Sequence, residues 1–68
     1  MNWIDINKEK PQEGVIQFFK VTYPNTDREE KIVAYYCNHR TKEWLALPFG
    51  GEEIDLSEFT SCVWLKEI

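Results

Sequence analysis

At 68 residues the chain is long enough for one domain, 1–68, and too short for two. Its net charge of −4, twelve acids against eight bases, removes the electrostatic drive toward DNA, RNA or an anionic membrane surface. Domains this small bury only about 60% of the surface their unfolded chains expose, so large core side chains matter, and three tryptophans, three tyrosines and four phenylalanines supply them.

Residues 1–14 read as a lead-in. Trp3, Ile4 and Ile6 form a short extended piece at 3–6, and Pro11 and Gly14 punctuate the loop that follows. Residues 15–23, Val-Ile-Gln-Phe-Phe-Lys-Val-Thr-Tyr, are almost all β-branched or aromatic and give the clearest strand. Its more apolar face, Val15, Gln17, Phe19, Val21 and Tyr23, is the expected core face. The opposite face is Ile16, Phe18, Lys20 and Thr22, and it reads as half covered.

Pro24 to Glu30 is a turn cluster, and Lys31 to Asn38 is a second strand. Asn38 to Lys42 turns the chain into a third strand, Glu43 to Leu47, which Pro48 ends because proline lacks a ladder donor. Gly50-Gly51 breaks the chain ahead of the acidic stretch Glu52 to Glu58. Asp55 or Ser57 is placed to cap a helical turn. Ser61 to Lys66 is a closing strand. The sum is a mainly β fold, with a small α+β fold as the variant. It is a single antiparallel sheet of about four strands, bent or partly barrel-like, with at most one short helical turn near residues 55–60. Trp3 and Trp64, at opposite ends of the chain, read as core staples.

Chemistry-bearing residues are sparse. Cys37, His39 and Cys62 lack the paired spacing of a structural zinc site, so no metal is expected. The single histidine, His39, sits in a turn with no nucleophile at a linked spacing, and no loop is built to cradle phosphate. The chain therefore reads as a non-enzyme without a cofactor. Asn2 and Trp3 after the initial Met form no basic or apolar leader, and no run approaches the ~18 apolar residues of a membrane span. With two cysteines, this points to a cytoplasmic chain with free thiols and no membrane contact.

Two surfaces stand out. Phe49, Glu52, Glu53, Asp55 and Glu58 form the candidate interaction surface, an aromatic beside an acidic segment. Tyr35, Tyr36, Arg40 and Trp44 form a candidate ligand pocket, to be enclosed by dimerisation. Tyr35 and Tyr36 are adjacent and face opposite sides of their strand. With basic residues few nearby, nucleic acid is not the expected partner.

The two ends carry a further pattern. Trp3, Ile4, Ile6, Pro11 and Gly14 open it, Trp44 marks mid-chain, and Val63-Trp64-Leu65-Lys66 closes it. This order resembles the DUF551-type domain, a family of small proteins of unknown function common in bacteriophages and prophages. Lys10 stands where that pattern has leucine, Val63 where it has histidine, and Lys66 where it has proline. The resemblance implies a compact β-rich fold and a mobile-element setting, and it implies no activity. The expected function is a non-enzymatic interaction module, such as a phage or prophage accessory protein, contacting a host protein or a second copy of itself. The alternative is a small-molecule or nucleotide binder with a pocket formed in a homodimer.

Overall fold

The computed structural model describes residues 2–66. Six strands form one antiparallel sheet: β1 (Asn2–Asp5), β2 (Ile16–Thr22), β3 (Glu29–His39), β4 (Lys42–Ala46), β5 (Glu53–Asp55) and β6 (Ser61–Lys66). Their spatial order is β1-β6-β2-β3-β4-β5. A single 3-10 turn, Leu56–Glu58, lies between β5 and β6, and Asp55 caps it by accepting a hydrogen bond from the Ser57 backbone. The expected fold class holds. The strand count rises from four to six because the lead-in pairs with the last strand and the acidic stretch contributes a short strand of its own.

A flat single sheet is only about 10 Å thick. The shortest extent of this molecule is 25 Å, so the sheet is rolled. It remains open, because β1 and β5 are its two edges and do not pair with each other.

Rolling creates an inner and an outer face. Along β2 the expected alternation holds at Phe19 and Val21, which are fully buried, and at Ile16 and Phe18, which are half exposed; Val15, expected on the core face, is instead 40% exposed just before the strand. Register then sorts the neighbours, since directly paired residues share a face. Phe19 pairs with Trp64 and Ile32, Gln17 with Ala34, and Tyr36 with Leu45. The core thus comprises Ile6, Phe19, Val21, Ala34, Tyr36, Leu45, Cys62 and Trp64, with Ile4, Tyr23, Ile32, Leu47, Leu56 and Phe59 packed against it. The Tyr23 and Phe59 rings meet edge to face at 5.3 Å.

One staple is misplaced in the sequence reading. Trp64 lies in the core, but Trp3 pairs with Leu65 on the outer face and is 38% exposed. Ile4, paired with Trp64, takes the inward position instead. The lead-in loop crosses the inner side as a strap. Trp64 Nε1 donates to the Glu9 carbonyl at 2.8 Å, Lys66 pairs with Glu9 at 2.7 Å, and Lys10 pairs with Glu43 at 2.8 Å. Pro11, within the strap, is buried.

Candidate functional site

The outer face is best read as rows across the strands, because paired residues line up side by side. One row is Asp5, Val63, Lys20 and Lys31. Phe18 and Val33 pair in the next row, and Trp3 and Leu65 pair beyond them on β1 and β6. Ile16, Tyr35, Ala46 and Glu53 follow, then Cys37, Trp44 and Asp55. Among the described residues no helix or second sheet covers this face. Trp3, Ile16, Phe18 and Val33 are all exposed on it. Lys20 extends over the Trp3 ring, with its ammonium 4.7 Å from the centroid.

Phe49 is 92% exposed in the β4–β5 turn. Leu47 N–H bonds the Glu52 carbonyl at 2.8 Å to close that turn, and Gly50 and Gly51 take positive φ within it. Glu53 and Asp55 lie on the edge strand β5, and Glu58 lies in the 3-10 turn. The Asp55 carboxyl is held below its usual range by the backbone N–H and then the hydroxyl of Ser57. The five residues therefore follow the β5 edge and its two ends rather than forming one compact spot.

Tyr35, Tyr36, Arg40 and Trp44 do not face one space. Tyr35 and Trp44 are on the outer face, while Tyr36 is buried on the inner face. Arg40 is in the two-residue β3–β4 turn with φ 58°. The Tyr36 hydroxyl donates to Glu43 and accepts from the Asn38 amide at 3.2 Å. Burial, followed by the Glu43 hydrogen bond, raises the Tyr36 phenol far above its usual range. The hydrogen bonds of Lys10 and then Tyr36 hold Glu43 below the ordinary carboxylate range. This Lys10–Glu43–Tyr36–Asn38 chain fastens the strap to the core.

Cys37 and Cys62 are both free. They lie on opposite faces of β3 and β6, which β2 separates. Among the described residues no three of His, Cys, Asp and Glu group as metal ligands.

A feature not anticipated from the sequence lies along β3. Its pairing with β4 begins at Tyr35, so Glu29–Val33 has a partner only on the β2 side. Pro48 explains this: continued pairing would place it beside Val33, where it offers no N–H. The free edge borders a groove of about 420 Å³ whose walls include Tyr23, Glu30, Ile32, Leu47, Phe49 and Glu52. The mismatch shows in the observed strand lengths, eleven residues for β3 and five for β4.

No family model, no curated protein and no solved structure matches the chain.

Proposed function

We propose that the chain is a non-enzymatic interaction module that docks a protein partner on the outer face of its sheet. The observation that carries this is the uncovered row of Trp3, Phe18 and Val33, with Ile16 beside it. Contiguous apolar surface of this kind marks interaction sites on soluble chains. Lys20 and Lys31 stand directly opposite each other at its border. Like charges so placed oppose each other, and neither lysine has an ion-pair partner among the described residues. A partner presenting a carboxylate there, beside apolar side chains, relieves that repulsion.

The same lysines weigh against a second copy as the partner. They sit on β2 and β3, the two central strands of the six. A two-fold stack centred on this face would bring four ammonium groups together. The alternative of a pocket from Tyr35, Tyr36, Arg40 and Trp44 would have to work without Tyr36, whose side is inward. A phage or prophage setting rests on the end motifs alone, and the accessory role is proposed on that basis.

The experiment is capture from host lysate together with sizing, comparing the native chain with Phe18→Ser. Phe18 is half exposed, so the variant keeps its fold by circular dichroism. A partner retained by the native chain and lost by the variant supports the reading. A strict monomer that captures nothing overturns it.

A further inference from the structure

We propose that the free half-edge of β3, Glu29–Val33, accepts an added strand from a partner protein, and that this strand carries basic residues at alternate positions. The site is separate from the outer-face contact, although Lys31 and Val33 border both.

The argument begins with the backbone. A strand without a neighbour presents unpaired N–H and C=O groups that template another strand. Here five residues lack a neighbour on the β4 side, and no other backbone hydrogen bond from the turns or loops reaches them among the described residues. The chain that would have paired with them leaves at Pro48 and returns through Glu52, which opens the 420 Å³ groove beside the edge.

The groove then specifies the side chains. Alternate residues of an added strand would point to the inner side, over Ile32, Leu47 and Ile54. That floor is apolar and partly exposed. Above it stand Glu30 and Glu52, both exposed and neither in an ion pair among the described residues. Tyr23 Oη donates to Glu30 at 2.6 Å and holds that carboxylate at the groove wall. An apolar floor below carboxylates suits lysine or arginine, whose stem lies on the floor and whose head reaches the acids. Phe49, at 92% exposure, stands at the same groove as an aromatic surface for the incoming strand.

The charges of Glu29, Glu30 and Lys31 also suit a second role, that of guarding an edge against unwanted pairing. The two roles make opposite predictions. A displayed library of random dodecamer peptides, selected on the folded chain, separates them. Enriched peptides alternating Lys or Arg with apolar residues are expected, and a synthetic copy is expected to slow amide exchange across Glu29–Val33. The double charge reversal Glu30→Lys, Glu52→Lys, on exposed side chains, is expected to weaken that peptide about tenfold. Phe18→Ser is expected to leave it unchanged, which keeps this test independent of the outer face. Four results overturn the proposal: no peptide enriched, enriched peptides without basic excess, bound peptides that leave the Glu29–Val33 amides unprotected, or a homodimer that itself protects them.

Discussion

The indole N–H of Trp64 donates to the carbonyl of Glu9 at 2.8 Å, across 55 positions of sequence. This bond joins the closing strand to the strap and gives a buried donor its partner. Trp64 also fills the core opposite Phe19. The two roles separate by substitution. Trp64→Ala is expected to cost about 3–5 kcal/mol, the range for core aromatic truncation. Trp64→Phe keeps much of the packing, loses the bond and is expected to cost about 1–3 kcal/mol. Amide exchange in residues 7–14 should rise in Trp64→Phe beyond what its global stability explains.

Trp3 makes the contrast. It lies on the outer face with Lys20 over its ring at 4.7 Å. Trp3→Ala is expected to cost only about 1 kcal/mol, the scale of an exposed cation–π contact. Urea melts of the two alanine variants test this ordering. Equal losses would mean that Trp3 is a core residue after all.

The misplacement of Trp3 shows what a sequence can and cannot carry. Parity was available: Ile4 and Ile6 alternate inward, which sends Trp3 and Asp5 to the other face. The size of the indole argued for burial, and register decided against it. β2, β3 and β6 were legible because β-branched and aromatic residues mark them, and β4 because Trp44 and Ala46 alternate with Leu45 and Leu47 up to Pro48. β5 was not, because Glu53-Ile54-Asp55 has poor strand propensity. It pairs because the turn closed between Leu47 and Glu52 delivers it to β4. The acidic residues of the candidate surface could be named from the sequence, but their layout along an edge depended on that pairing. The free half of β3 was hidden for a related reason: a lone strand looks the same whether or not it has a neighbour.

Glu43 ties acid stability to the strap. Its folded carboxyl is held below the ordinary range by Lys10 and Tyr36. A carboxyl with a depressed folded pKa adds stability that is fully present above its unfolded value. That contribution is lost as pH falls through the folded value. Stability should therefore decline below about pH 4.5. Glu43→Gln should flatten this decline while costing about 1–2 kcal/mol at neutral pH. Denaturant midpoints measured from pH 3 to pH 7 give both quantities. An unchanged acid slope in the variant would remove Glu43 from this role.

The two thiols should report different events. Burial, with Asp5 and Glu43 adding to it, pushes Cys62 up to about 12. Burial followed by Glu13 and Glu53 also raises Cys37, which is only partly buried on the outer face. The thiolate is the reactive form, so access and ionisation both favour Cys37. Pulse alkylation near pH 8, read by mass spectrometry, should modify Cys37 first. Cys62 should follow at the rate of global opening and accelerate with denaturant. Equal rates in native buffer would show that the core opens locally at β6.

Gly51 sets the path into β5, and its cost can be isolated. It adopts φ +67°, and a Cβ built there meets nothing within 4 Å. Any penalty from Gly51→Ala is therefore conformational rather than steric against the rest of the molecule. Left-handed backbone costs an ordinary L-residue about 1–2 kcal/mol, and asparagine less. For a domain of this size, each 1 kcal/mol moves the melting temperature by about 4–8 °C. Gly51→Ala should melt lower by about that step or up to twice it, with Gly51→Asn in between. The turn also positions β5 at the sheet edge, so the loss should coincide with faster amide exchange in Glu53–Asp55. A Gly51→Ala chain that melts with the native one would show that the turn reaches β5 through another backbone conformation.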